Sequence, residues 1–318
     1  ALLLALAVAC PEQIVAAHVR HDLRPEAHAA EDERAVEELA RRLRIGFVRA
    51  DVAVRALVGN EEANARRARY AALARLAREA GCGFVATGHQ ADDVLETMLM
   101  RLLRGAGPRG LGGIAPRRRL AGGPASASAP DASIVLVRPM LDATRADAES
   151  ICRAAGVAWR EDATNADATR WRARLRRDVL PVLRDLRGDA ARRAVASARL
   201  LREAHAMLDA EARALLDAGA RTPALATQPG KSYEWPRASI EAVPGVVLGE
   251  ALRLLDSSLR ERDARAIRRG LREPDRRRRE WSFGRTRVEA DRERFVVRVA
   301  PLPEDATASD TTRQSPRS

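Results

Sequence analysis

Short apolar runs alternate with helical segments through the first half of the chain, and this order constrains the fold more than any other feature. Four apolar runs are predicted as strands, residues 14–19, 47–52, 83–87 and 134–137. Four segments with helical patterns alternate with them, residues 28–43, 61–80, 91–104 and 145–155, of which 61–80 is rich in alanine and arginine. Strands that alternate with helices predict an α/β fold, a parallel sheet with helices on both faces.

The second half of the chain has a different pattern. Residues 175–219 and 237–270 are mostly helical in spacing, and the alternation over residues 285–299 predicts a terminal hairpin. We therefore expect a mainly helical C-terminal domain. A tail rich in Pro, Ser, Thr and Asp is predicted to be disordered. The predicted domains are residues 1–188, residues 189–300 and the tail 301–318.

The chain is strongly basic. It has 318 residues, with 56 Lys and Arg against 44 Asp and Glu, for a net charge of +12. Lys231 is the only lysine, so arginine carries nearly all of the positive charge. A chain this basic favours a polyanionic partner such as nucleic acid, although a solvated surface of interspersed charges is the alternative. Aromatic residues make up only 3% of the chain, so a surface of stacked bases is not expected.

The three cysteines, Cys10, Cys82 and Cys152, are far apart and form no CxxC pair. This spacing argues against a zinc site or a disulfide framework and fits a reducing, cytoplasmic location. Residues 1–9 form an apolar run that resembles the core of a signal peptide. The run has no basic segment and is too short to span a bilayer. We interpret it as a buried helix that has lost its beginning and that Pro11 ends, and we predict no membrane association.

A motif of ionisable residues suited to catalysis lies where the third predicted strand runs into a helix. His89 precedes Asp92, Asp93 and Glu96, and the three- and four-residue spacing lets the carboxylates converge on one helix face. The carboxyl end of a strand is where an open α/β sheet keeps its ligand site. A structural alternative is that acids in the first turn offset the helix dipole, at about 0.3–1 kcal/mol each. That alternative does not explain Glu96 or Gly88-His89.

Four segments together resemble one enzyme family. They are His18–Glu26, Gly59–Tyr70, Thr87–Gly105, and Trp159–Asn165 continued through Arg172–Arg177 to Pro181. In this order and spacing they closely resemble bacterial tRNA(Ile)-lysidine synthetase, of the ATP-pyrophosphatase (PP-loop) superfamily. The resemblance is strong over residues 1–185 and faint beyond. It implies a Rossmann-like ATP-pyrophosphatase domain.

The resemblance also implies a reaction. Such enzymes use ATP to adenylate the C2 oxygen of the wobble cytidine in tRNA(Ile) with anticodon CAU. The amine of free L-lysine then displaces AMP and forms lysidine. ATP and Mg²⁺ are the implied cofactors, and tRNA(Ile) and lysine are the implied partners. A homodimer is left open.

Site residues follow from the matched motifs. The implied catalytic residues are His89, Asp92, Asp93, Glu96 and Arg66. Asp92, Asp93 and Glu96 are also the implied Mg²⁺ ligands, because this cation takes one or two carboxylates together with phosphate oxygens and waters. The implied ATP-binding residues are Ala17, His18, Val19, Arg24 and Gly88.

The resemblance implies that a second set of residues binds tRNA. An arginine guanidinium can donate two hydrogen bonds to one phosphate group, and such contacts position RNA without reading its sequence. Its members are Arg104, Arg138, Asn165, Arg172, Arg174, Arg176 and Arg177. A solvated helix face, with Asp178 and Asp185 nearby, is the structural alternative for the arginines between 172 and 177.

One departure from the family pattern qualifies these expectations. The family's phosphate-binding SGGxDS loop is absent, and the chain starts at the helix that follows this loop in the family. We therefore expect an N-terminally truncated chain with the first strand missing, which turns over little ATP. Two alternatives are a catalytically inactive tRNA-binding fragment or paralogue, and a metal-dependent hydrolase that uses His89 and the three acids. The hydrolase leaves the other three segments unexplained.

Overall fold

The computed structural model describes residues 1–23, 26–120, 134–159, 171–220, 231–273, 275 and 277–301. The chain divides into two compact units, residues 1–202 and 203–318. The predicted domain border at residues 188 and 189 lies just ahead of a long helix, Ala190–Gly219, and the two units divide within this helix. The predicted loop at 121–130 and nearly all of the predicted tail lie outside the described residues.

The first unit contains the elements that the alternating pattern predicts, each within two residues of the predicted ends. Its strands are β1 (Val15–His21), β2 (Gly46–Val52), β3 (Phe84–Ala86), β4 (Arg117–Arg119) and β5 (Val135–Val137). Its first helices are α1 (Leu2–Ala9), α2 (Glu26–Leu43), α3 (Glu61–Glu79), α4 (Ala91–Leu102), α5 (Pro108–Leu111) and α6 (Arg145–Ala154). Then follow α7 (Trp171–Arg174), a wider helical turn of the π type (Leu175–Val179), α8 (Leu180–Leu186) and α9 (Ala190–Gly219).

The strands of this unit pair in parallel, as predicted, with one exception. β1 pairs with β2 in parallel, and β3 pairs with β5 in parallel, while β4 adds to β5 in the antiparallel direction. The described residues therefore form two sheets here instead of one, because no described strand joins β1 to β3. Residues of β1 and β3 line a common cavity of about 1120 Å³.

Helix α3 packs against strands of both sheets. Its start is capped by Asn60, whose side chain accepts a hydrogen bond from the Ala63 N–H at 2.9 Å. Ala72 and Leu76 pack on β2, whereas Ala74 and Ala77 pack in the cluster that holds Val85 and Leu136 of the other sheet. Because alanine side chains are small, the helix approaches both sheets closely.

The apolar N-terminal run is a helix, as predicted. Of its residues, Leu4 is buried, and Leu2, Leu3 and Leu6 line the cavity next to β1 and β3. The helix ends at Ala9, and Pro11–Gln13 form a short 3₁₀ turn that leads into β1. In the part of the chain that the structure describes, no helix has both the length and the apolar content needed to cross a bilayer.

The second unit combines helices with a four-stranded sheet. After the end of α9 it contains β6 (Lys231–Pro236), α10 (Arg237–Ala242), α11 (Gly245–Leu255), α12 (Glu261–Leu271), β7 (Arg279–Phe283), β8 (Thr286–Ala290) and β9 (Arg294–Val299). The strand order is β6-β9-β8-β7, and all pairs are antiparallel. The predicted hairpin is β8 and β9. The sheet is larger than predicted, since β6 and β7 flank the hairpin.

Candidate active site

The junction between β3 and α4 holds the histidine and acids that the sequence singled out. The loop Thr87–Gln90 follows β3, and α4 begins at Ala91. The Asp93 carboxylate accepts a hydrogen bond from the Gln90 N–H at 2.9 Å, which closes the first turn as an N-terminal cap. Thr87 Oγ1 lies 2.9 Å from His89 Nδ1. The cap and this hydrogen bond fix the orientation of both polar side chains at the strand's carboxyl end.

Glu96 is the most buried acid of this helix face, with a side chain 3% exposed. Burial raises the pKa of Glu96, and the hydrogen bond from Arg176 opposes that shift. Arg176 is bound to Glu96 through Nε and lies 3.1 Å from Asp93 Oδ1. Arg172 lies 3.6 Å from Glu96 Oε2 and 3.1 Å from Glu62 on α3. Two arginines thus neutralise the acidic pair.

Asp92 points to different partners. Its Oδ2 accepts a hydrogen bond from the backbone N–H of Arg145 at 2.7 Å, and its Oδ1 lies 2.7 Å from Arg184. Arg145 is the first residue of α6, and Arg184 lies on α8. Asp92 therefore ties the start of α4 to two other helices, and both of its oxygens are engaged.

Of the three acids on α4, Asp93 and Glu96 are the two that fit a Mg²⁺ site. Among the described residues, no three His, Cys, Asp or Glu side chains stand in an arrangement that could hold a metal ion. Asp93 and Glu96 nevertheless share a helix face, and Glu96 Oε2 is buried without a hydrogen-bond partner. Carboxylate oxygens are the ligands that Mg²⁺ prefers, and one or two of them suffice when substrate phosphates and waters complete the shell. The pair fits that donor set.

His89 is held in its neutral form. Burial, and after it the positive charge of Arg138, lower the pKa of His89 to about 4, although the negative charge of Asp93 acts in the opposite direction. Arg66 and Arg172 add smaller shifts of the same sign as Arg138. At neutral pH the imidazole is therefore an uncharged hydrogen-bonding group in a positively charged setting.

The predicted ATP-binding residues lie along β1 and the loop after β3. Ala17 and His18 line the cavity of about 1120 Å³, and Val19 lies next to them in the same strand, paired with Ala50. Burial lowers the pKa of His18. A Cβ built on Gly88 would lie 3.8 Å from the Leu2 Cβ, so the start of α1 lies against the loop that follows β3. Arg24 lies outside the described residues.

Comparison with known proteins decides the family. The family of the PP-loop domain matches residues 1–183, more than half of the chain. A tRNA(Ile)-lysidine synthase of Methylobacterium sp. (strain 4-46) is 39% identical over 293 residues, which cover 89% of this chain and 76% of that relative. The chain belongs to the tRNA(Ile)-lysidine synthase family. The family that the four segments indicated is thereby confirmed.

Other members of the family are longer than this chain. The tRNA(Ile)-lysidine synthase of Symbiobacterium thermophilum is 42% identical over 195 residues, which cover 60% of this chain and 38% of that relative. The corresponding protein of Geobacter sulfurreducens is 39% identical over 199 residues, with 61% and 39% covered. The chain thus spans about two fifths of their length. Among solved structures, the U34-tRNA thiolase NcsA from Methanococcus maripaludis covers 63% of this chain at 15% identity, with a TM-score of 0.49.

The arginines predicted to bind tRNA divide into two groups in this family member. Arg172 and Arg176 are four residues apart and turn inward to the α4 carboxylates, whereas Arg174 and Arg177 are exposed. Arg177 pairs with Asp178 at 2.6 Å. This exposed pair agrees with the alternative interpretation, a solvated helix face. Arg104 is exposed just beyond α4, and Arg138 is buried after β5. Asn165 lies outside the described residues.

Sequence reasoning missed three residues of this region. Arg184 binds Asp92, Glu62 binds Arg172, and Tyr70 packs beside Arg66 with the guanidinium 5.3 Å from the ring centroid. Arg184 follows Arg176 by eight residues, a spacing close to two helical turns, and this spacing could have placed it on the same face. Nothing in the local sequence distinguishes Glu62 from the other acid at the start of α3.

Proposed function

We propose that this protein forms lysidine, by ATP-dependent ligation of lysine to C2 of the wobble cytidine in tRNA(Ile) with anticodon CAU. The observation that carries the proposal is the 39% identity to a tRNA(Ile)-lysidine synthase over 89% of this chain. The reaction would proceed through an adenylated tRNA, with pyrophosphate released in its first half. A catalytically inactive tRNA-binding protein is the alternative function.

The residues of the α4 face have distinct roles in this proposal. Asp93 and Glu96 would hold Mg²⁺, which when bound neutralises charge on the departing pyrophosphate. Arg172 and Arg176, which now pair with these acids, are close enough to turn their guanidiniums to phosphate instead. Asp92 would position the helix through its contacts to α6 and α8. The capped start of α4 holds both acids at the carboxyl end of β3, so only the arginine side chains would move when Mg²⁺ binds.

His89 and Arg66 complete the proposed site. Thr87 occupies Nδ1 of His89, so Nε2 is the ring nitrogen left to hydrogen-bond substrate, and its low pKa keeps the ring uncharged at neutral pH. Arg66 supplies a fixed positive charge nearby, where charge develops on phosphoryl or base oxygens. Ala17 and His18, which line the cavity, are proposed to contact ATP, together with Gly88.

The test is lysine incorporation by the complete gene product. Protein, ATP, Mg²⁺ and isotope-labelled lysine are incubated with tRNA(Ile) transcript of anticodon CAU, and the digested tRNA is analysed by mass spectrometry. We expect a lysine-substituted cytidine at the wobble position, formed only with ATP. A transcript with uridine at that position is the matched control. Binding of tRNA without any lysine incorporation would refute the proposal and support the alternative.

A further inference from the structure

An aromatic ring beside the candidate active site is surrounded by guanidiniums. The ring of Tyr70 on α3 has Arg118 of β4 at 4.6 Å and Arg66 of its own helix at 5.3 Å, each measured from the guanidinium carbon to the ring centroid. The Tyr70 hydroxyl also interacts with Arg138. We call Arg66, Tyr70, Arg104, Arg118 and Arg138 the Tyr70 patch. Cation–π contacts of this kind hold a guanidinium in place while its charge remains exposed.

The positive charges of the Tyr70 patch lie close enough to act on one another. Burial lowers the pKa of Arg138, and the charges of Arg118 and Arg66 lower it further. Burial likewise lowers the pKa of Arg101, with added effects of Arg66 and Arg104. Helix α3, the end of α4, strand β4 and the segment after β5 thus contribute to a single positively charged region.

Among the described residues, none of the four arginines in the Tyr70 patch has an acidic partner. Some exposed arginines elsewhere in the same unit do have one, as in Arg75 with Glu79 at 3.1 Å and Arg145 with Glu149 at 2.9 Å. Arg138 is also 4% exposed and has a buried Nε without a hydrogen-bond partner. Uncompensated charge of this kind is what a bound polyanion would neutralise.

The surroundings of the patch are open and extended. Strand β4 is at the edge of its sheet and consists of three exposed arginines, Arg117–Arg119. Arg118 reaches the Tyr70 side of the strand, and its two neighbours face the other way because side chains alternate along a strand. Guanidiniums that come from several elements match the repeated charges of a nucleic-acid backbone better than the compact charge of a single nucleotide.

We propose that the Tyr70 patch binds the phosphate backbone of the RNA substrate beside the reacting nucleotide, with Arg118 as a positioning residue that Tyr70 holds in place. The inference rests on the proposed function, which makes the RNA a tRNA. It assigns a role to Tyr70 and Arg118, and it groups them with Arg66, Arg104 and Arg138 as one surface. Arg118 contacts backbone phosphate only, so it contributes affinity and orientation without reading the sequence.

The test compares Arg118→Ala with Arg75→Ala in the complete gene product. Both substitutions remove one exposed charge from this unit, and Arg75 lies on α3 away from the patch. Fluorescence anisotropy with labelled tRNA(Ile) is measured between about 50 and 200 mM KCl. We expect Arg118→Ala to weaken binding several-fold and to reduce the slope of log K against log salt by about 0.7–0.9, the contribution of one phosphate contact. Arg75→Ala should match the wild type in slope.

The outcomes separate this surface from the proposed function and from nucleotide binding. A wild-type slope for Arg118→Ala, in a protein that makes lysidine, would overturn the surface alone. Loss of ATP affinity with unchanged tRNA affinity would overturn it in favour of a nucleotide phosphate site. A reduced slope in a protein that incorporates no lysine would support the surface and refute the function. Arg118→Lys keeps the charge and should restore the salt slope.

Discussion

At the scale of single residues, the acidic face of α4 shows how burial dictates pairing. A carboxylate taken out of water costs several kcal/mol unless a partner compensates it. Glu96 is 3% exposed, and Arg176 compensates it while also reaching Asp93. The arginines that the sequence assigned to RNA therefore include two with a structural role.

Removal of Arg176 should destabilise the protein, whereas removal of its neighbour should not. Arg176→Ala leaves Glu96 buried without its main partner, and we expect a loss of about 1–3 kcal/mol in the free energy of unfolding. Arg177→Ala breaks only an exposed pair with Asp178, so its midpoint should equal that of the wild type within error. Urea unfolding followed by circular dichroism measures both. Equal midpoints for the two variants would show that the buried pair contributes no stability.

The position of the candidate acidic motif was predictable because the motif is local. His89, Asp92, Asp93 and Glu96 lie within eight residues, so their spacing alone places them at one strand-to-helix junction. Their contacts were not predictable. Arg176 is 80 residues from Glu96, and Arg184 is 92 residues from Asp92. No periodicity in the sequence extends over such separations, and packing of α7 and α8 beside α4 decides which side chains meet.

At the scale of elements, the spacing of apolar residues predicted helices and strands correctly where the spacing was clear, and elements without such spacing were missed. Helices such as α2 and α4 carry a clear apolar spacing and were predicted to within two residues. Strand β4 consists of three arginines, so no apolar alternation marks it. It forms because β5 offers an open edge with which its backbone can pair. Strands β6 and β7 were also missed. β6 pairs with β9, which is far away in the sequence, and β7 mixes polar and aromatic residues.

The end of α9 provides a test of tertiary packing against helix propensity. Replacement of glycine by alanine within a helix normally stabilises it, by up to about 1 kcal/mol. A Cβ on Gly219 would lie 2.0 Å from the indole of Trp235, a side chain that is 5% exposed and bonded to the Leu215 carbonyl. We expect Gly219→Ala to destabilise this unit by about 1–3 kcal/mol, the usual cost of overpacking.

Thermal unfolding monitored by tryptophan fluorescence measures this effect. Gly245→Ala is the matched control, because its nearest neighbour would lie 3.6 Å away in ordinary contact. A stabilised Gly219→Ala variant would contradict the close contact with Trp235.

At the scale of the whole molecule, the chain consists of two units with separate cores. The second unit has a continuous core that includes Trp235, Ile240, Ile267 and Phe295. A unit with its own core can in principle fold alone. The strong positive charge is a property of the entire sequence, with +12 over 318 residues, whereas its local imbalance at the Tyr70 patch is a property of the fold.

Residues 203–318, produced as a fragment, should therefore fold on their own. We expect a cooperative thermal transition and a near-ultraviolet circular dichroism signal, because Tyr233 stacks on Trp235 at 6.0 Å within this core. Trp235→Ala in the fragment is the control and should abolish the transition. A fragment without cooperative unfolding would show that the unit depends on the rest of the chain.

The sequence by itself determined the family, the order of strands and helices in the first unit, and the position of the acidic motif. These features depend on residues that are close together in the sequence or that recur at a regular spacing, so the sequence encodes them directly. The tertiary structure alone decided which arginines face carboxylates, which arginines around Tyr70 have no acidic partner among the described residues, and how β4 completes its sheet. Those outcomes depend on burial and on contacts between distant segments, because a charge is neutralised by whichever group the fold places beside it.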